Sequence, residues 1–316
     1  MSPAIRVAGF LAALAAVFGL ALGAGRTFGP AAEPAVAAHE AHAVGNEGAS
    51  LENAPAAGAA LPGGLMTAQD GYSLTLADSE TQPGRDIRVA FTIEGPDGLP
   101  VTAYEVEHEQ RLHLIAVRRD FTGFQHVHPQ LSLHGKWSTT LDLTAGQWRL
   151  FADFTPAGAG ALTLGADLAV AGDYQPATPA GESRTSHIDG YRVTLDGDLA
   201  AGGEARLTLS VSRGGEAVTD LQPYLGAYGH LVALREGDLA YLHVHPDGAP
   251  GDGTTQPGPD VVFHAAVPSA GTYHLFLDFR HQGVVRTAAF TVSATGTNAR
   301  ASDGSGTSTD DGHSPH

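Results

Sequence analysis

No cysteine occurs in the chain, which excludes disulfides, thiolate metal sites, a lipid-modified N-terminal cysteine and a cysteine nucleophile. Methionine is confined to Met1 and Met66, so a methionine-rich Cu(I) site is excluded too. Lys136 is the sole lysine, and 17 basic residues face 34 acidic ones, for a formal net charge of -17. That balance argues against nucleic acid and anionic membrane surfaces as partners, because both are held by basic patches. No Gly-x-Ser-x-Gly nucleophile motif is present. Any bound metal must therefore be a borderline ion held on nitrogen and oxygen: Cu(II), Zn(II) or Ni(II).

What is present begins with a targeting segment. Arg6 precedes the uncharged run Val7–Gly25, and Arg26 follows. The run is long enough to cross a bilayer once, so residues 1–29 read as a signal peptide or an uncleaved membrane anchor. No second apolar span follows, which places the rest of the chain outside the cytoplasm, either anchored through this N-terminal helix or secreted. Residues 30–66 are rich in Ala, Gly and Pro and read as a flexible spacer. The tail at 295–316 carries Ser, Thr, Gly and Asp and reads as disordered.

Between them the chain repeats itself. Asp70-Gly71-Tyr72 and Asp189-Gly190-Tyr191 each open a unit, and Val101-Thr102 matches Val218-Thr219. Gly146-Gln-Trp148-Arg-Leu-Phe151-Ala-Asp153 likewise matches Gly271-Thr-Tyr273-His-Leu-Phe276-Leu-Asp278. Short alternating runs separated by Gly, Pro and Asp recur throughout, with no helical period. The expected fold is all-β: two tandem immunoglobulin-like β-sandwiches, repeat 1 over 67–172 and repeat 2 over 187–294, joined by a linker at 173–186.

The repeat also singles out histidines. His113, His126 and His128 recur with identical spacing as His230, His243 and His245, whereas His134, His187, His264, His274 and His281 have no counterpart. Each trio sits on two β-prone runs flanking a short polar break, Arg119-Asp120 or Glu236-Gly237, and reads as a hairpin. A two-residue loop places His113 opposite His126 and His230 opposite His243. His128 and His245 then share the same face, because residues i and i+2 of a strand do. Three converging imidazoles suit a divalent metal. The same faces carry Ile115, Val117 and Phe124, or Val232, Leu234 and Tyr241, so the histidines lie beside an apolar surface. This register also puts the cation Arg111 opposite His128, which favours the second copy as the metal site; Glu107, His108 and Glu109 offer compensation in the first.

Asp153 and Asp278 lie on the face opposite their strands' aromatic and leucine stripe. They read either as solvated or salt-bridged strand residues, or as a fourth ligand or a carboxylate orienting a histidine. The two units resemble small immunoglobulin-like domains of bacterial envelope proteins, the CopC-like and YtkA-like families. The resemblance rests on the Asp-Gly-Tyr opening, the Val-Thr turn and the Gly-x-Tyr/Trp-x-Leu-Phe strand; it implies an extracytoplasmic, copper-related role and supplies no ligand residues. The expected function is thus a binding protein holding Cu(II) or Zn(II), for buffering or delivery. The alternatives are a surface interaction module without metal, and an enzyme using a three-histidine metal with an open position.

Overall fold

The computed structural model describes residues 61–178, 181–242 and 244–296. The expected N-terminal helix, the spacer up to residue 60 and the tail from 297 lie outside the described residues. Among the described residues, no helix is long and apolar enough to cross a membrane.

Repeat 1 consists of β1 (Ala68–Gln69), β2 (Tyr72–Leu76), β3 (Glu80–Thr81), β4 (Gly84–Glu94), β5 (Leu112–Arg118), β6 (Gln125–Val127), β7 (Gln130–Leu131), β8 (Lys136–Leu143), β9 (Gly146–Phe154) and β10 (Leu162–Val170). Repeat 2 follows with β11 (Thr185–Ile188), β12 (Tyr191–Asp196), β13 (Leu199–Ala200), β14 (Gly203–Arg213), β15 (Glu216–Ala217), β16 (His230–Arg235), β17 (Tyr241–Leu242), β18 (Val244–Pro246), β19 (Asp260–Val267), β20 (Gly271–His281) and β21 (Val284–Thr295). Repeat 1 packs the sheet β1-β2-β4-β8-β7 against β3-β10-β9-β5-β6; repeat 2 packs β11-β12-β14-β19-β18, with β15 on β14, against β13-β21-β20-β16-β17. The two topologies correspond strand for strand, apart from β15. The protein is all-β, two tandem immunoglobulin-like sandwiches.

Local chemistry explains the openings. In both Asp70-Gly71 and Asp189-Gly190 the two turn residues have positive φ (53° and 83°, 47° and 80°), the two-residue hairpin that Asp-Gly favours. Alternation along each strand then fills two separate cores. Phe91, Trp137, Trp148 and Leu150 belong to the first, and Tyr191, Phe263, Tyr273 and Phe279 to the second.

A third apolar cluster forms between the repeats. β5 is buried on both faces: Leu112, Leu114 and Ala116 enter the repeat 1 core, while Ile115 and Val117 point the other way. Those two meet Phe151 of β9 and Val232, Leu234, Leu239, Tyr241 and Phe276 of repeat 2. Phe124 stacks on Phe276 (centroids 4.1 Å apart, 7° between planes), and Phe121 stacks on His274 (3.8 Å, 17°). The outer face of β5-β9 therefore docks on that of β16-β20.

Residues 61–66, expected to be part of the flexible spacer, instead lie across both repeats. Gly64 N–H donates to Thr163 O and Gly165 N–H to Met66 O, while Tyr241 N–H donates to Gly63 O. Arg149 donates to the carbonyls of Gly64 (2.6 Å) and Leu65 (2.9 Å). The approach needs glycine: a Cβ at Gly64 (φ +73°) would lie 2.3 Å from Phe151 Cδ1.

Candidate metal centre

Both histidine hairpins form, with a register two residues from the expected one. Ile115 lies opposite His126, and Leu114 opposite Val127. In repeat 2, Ala233 lies opposite Leu242 and Leu234 opposite Tyr241. The reason is in the turns. Phe121 (φ 63°) and Leu239 (φ 62°) adopt left-handed conformations. The Asp120 carboxylate accepts from the Thr122 hydroxyl (2.7 Å) and amide (3.3 Å), and the Asp238 carboxylate accepts from Ala240 N–H (3.1 Å). Each turn is thus centred one residue later than expected. Moving a turn centre by one residue slides the register by two and leaves every side chain on its face. The slide also takes Arg111 away from His128; Arg111 is solvent-exposed.

The trio that assembles among the described residues is the first copy's. Donor atoms of His113, His126 and His128 all lie within 4.8 Å of one another. In the second copy the strand leaves its sheet earlier. His245 already lies in β18, opposite His264 of β19 and exposed, and His243 lies outside the described residues. His230 joins the first copy's cluster instead: its ring centroid is 4.9 Å from that of His126 and 5.3 Å from that of His113.

The carboxylates occupy matching positions. Asp153 lies opposite His113, and Asp278 opposite His230. Asp278 is buried, not solvated. Its Oδ2 accepts from His126 Nδ1 at 2.9 Å across the inter-repeat boundary, and its Oδ1 accepts from the Thr287 hydroxyl at 2.5 Å. Asp153 Oδ1 accepts from the Thr163 hydroxyl at 2.9 Å; burial pushes its pKa up, and the Glu107 carboxylate adds to this.

Hydrogen bonding sets the tautomers. Carboxylate and carbonyl oxygens only accept, so His126 Nδ1 carries a proton toward Asp278. His113 Nε2 carries one toward Glu107 O, 3.2 Å away. In the neutral rings, His113 Nδ1 and His126 Nε2 then face each other as lone pairs 3.0 Å apart. Either a proton that charges His126 against Asp278, or a metal cation, satisfies that contact. His128 Nε2 is buried and has no hydrogen-bond partner among the described residues, and a cation placed among the three nitrogens would engage it as well.

A metal bonded at about 2.0–2.1 Å holds tetrahedral nitrogen ligands about 3.3 Å apart. One pair is already that close, and the others need to draw together by at most about 1.5 Å. Burial, followed by the charge on His126, depresses His113 to about 3 and His128 to about 4, and His230 is lowered well below its ordinary value by the same causes. His113, His128 and His230 are therefore neutral at ordinary pH.

The site also holds groups the sequence reading gave no role or a minor one. Tyr241 is buried, and its phenol is pushed well above the ordinary range by burial and then by Asp153 and Asp278. Two matching turns carry His108 (φ 48°) with Glu109 (φ 66°), and Leu225 (φ 55°) with Gly226 (φ 75°). The His108 ring lies 5.3 Å from His230 and 6.1 Å from His113, and Tyr224 lies 6.5 Å from His128. The signal available was the apolar outer face of each hairpin, which marks a covered surface. Other histidines are structural: His281 bonds Tyr191 (2.7 Å) and Asp220 (2.9 Å), and His274 bonds Glu236 (3.1 Å).

No curated protein matches the sequence. Among solved structures, the chain is similar to FdeC, an Escherichia coli adhesin, at 14% identity over 72% of this chain and 65% of that one, with a TM-score of 0.23. It is similar to Yersinia pseudotuberculosis InvD at 13% identity over 72% and 58%, TM-score 0.24. A third likeness is to Escherichia coli alpha-2-macroglobulin, at 13% identity over 71% and 20%, TM-score 0.24. The chain thus spans less than two thirds of each of these, and likenesses this distant carry no function across. The sequence match is to neither of the copper-handling families named above: residues 67–170 and 186–296 match the family described as Domain of unknown function (DUF8832), and the chain belongs to that family.

Proposed function

We propose that this protein is an extracytoplasmic binding protein that holds one divalent transition metal, Cu(II) or Zn(II), on His113, His126 and His128, for buffering or delivery. The observation that carries the reading is the buried His128 Nε2, unpartnered among the described residues, beside two facing imidazole nitrogens 3.0 Å apart. The Asp278 carboxylate behind His126 supports it, since a metal-binding histidine ordinarily donates its second N–H to such a group. The all-imidazole donor set selects borderline ions over Ca(II) or Mg(II). A second reading, a tandem interaction module without metal, draws on one observation: His126 Nδ1 lies 2.9 Å from Asp278 Oδ2, so that a proton on His126 Nε2 would satisfy the contact with His113 without any metal.

The test is thermal melting of the full chain with Zn(II) or Cu(II) against a chelator. A metal that binds only the folded state at a hundred times its Kd stabilises by about 2.7 kcal/mol. The expected result is one equivalent bound and a raised Tm, both lost in the double variant His126→Ala, His128→Ala. A folded wild-type chain whose melting ignores metal refutes the proposal and leaves the interaction module.

A further inference from the structure

We infer that His230 of repeat 2 is the fourth ligand of the same metal, so that the ion bridges the two repeats and clasps their interface; this rests on the metal reading above. The first argument is ring geometry. With a metal–nitrogen bond of about 2.0–2.1 Å and a ring centroid about 1.1 Å behind its donor atom, imidazoles on a tetrahedral ion have centroids about 5.2 Å apart. Within the trio the separations are 5.2, 5.0 and 5.0 Å. From His230 they are 5.3 Å to His113 and 4.9 Å to His126. His230 thus stands at ligand-like ring distances from two of the trio's three histidines, although it comes from the other repeat.

The second argument is how it gets there. The two repeats dock through equivalent sheets, bringing His113 and His230 together with their planes 12° apart. Asp278 lies opposite His230 on the adjacent strand and bonds His126 of repeat 1. One carboxylate therefore ties a ligand of one repeat to the strand pair that carries the ligand of the other. The turns at 107–110 and 224–227 meet above the cluster: a Cβ on Gly226 would lie 4.0 Å from His108 Cα. A site completed across a boundary is linked to it. Metal binds the docked pair more tightly than the separated pair, and by reciprocity favours docking by the same factor.

The experiment compares the full chain with its His230→Gln variant, using Zn(II) as the probe. X-ray absorption on the zinc-loaded wild type counts imidazoles directly, and four are expected. Competition with a chromogenic chelator is expected to show His230→Gln binding Zn(II) about 5–150-fold more weakly, the usual span of coupled sites. The chain has no cysteine, so spin labels on Thr140→Cys and Ala266→Cys, two exposed strand residues in different repeats, report the inter-repeat distance alone. Zinc is expected to narrow that distribution in the wild-type background and not with His230→Gln. Three imidazoles in the wild type, or unchanged affinity in the variant, would overturn the clasp while leaving the three-histidine site intact. No zinc bound by the folded wild type would overturn the site itself. The ligand count needs no variant, so the proposal stays testable if His230→Gln fails to fold.

Discussion

Asp278→Asn isolates the charge behind the site from its shape. Asp278 is 3% exposed; it accepts from His126 Nδ1 at 2.9 Å and from the Thr287 hydroxyl at 2.5 Å. Asparagine is nearly isosteric: its oxygen still accepts from His126, and its amide donates to Thr287 once that hydroxyl turns. What disappears is the negative charge that holds His126 as a basic, correctly oriented ligand. Replacing such an orienting partner weakens metal binding about 10–100-fold, equivalent to about 1.4–2.8 kcal/mol. The assay is a competition titration of Zn(II) against a chelator of known affinity at neutral pH. Melting with excess chelator, run in parallel, measures the metal-free contribution of the His126–Asp278 pair. Unchanged zinc affinity, with a loss confined to metal-free stability, would refute the orienting role and make this contact a purely structural ion pair.

Two further predictions follow from the interface and the first hairpin. Phe276→Ala removes a ring stacked on Phe124 outside both sandwich cores; a buried Phe→Ala change loses about 3–5 kcal/mol, here from docking, so urea unfolding should separate into two transitions, and one unaltered transition would contradict it. Asp120 is held at about 2: burial raises it, but bonds from Arg118, Thr122 and Ala177 outweigh that. Because the folded value is depressed below the unfolded 3.8, the stabilisation is present above about pH 4 and lost as pH falls through 2. Asp120→Asn should therefore lower stability by roughly 2 kcal/mol at neutral pH, and the gap from wild type in acid-unfolding curves should close near pH 2.

The expected hairpin register failed in an informative way. The register slid because Asp120 and Asp238 organise turns one residue later than the polar breaks suggested, a choice made by side-chain bonds to local amides and left-handed φ values. In the second copy, β18 pairs with β19 from Val244 onward, which sets His245 opposite His264 on the other sheet. The pattern of apolar and polar residues does not distinguish the two registers, since both satisfy it.

The sequence by itself determined the β class, the duplication, the placement of His113, His126 and His128 on one hairpin face, and the side of the strand that carries Asp153 and Asp278. These follow from the two-residue period of a strand, which any register change of two preserves. Only the tertiary structure decided that those faces are buried against each other, that Asp278 serves His126, and that His230 belongs with the first repeat's histidines. The His126–Asp278 bond spans 152 residues. It exists because two apolar sheet faces leave water together, and nothing in the local pattern of either strand specifies which residue of the other it will meet.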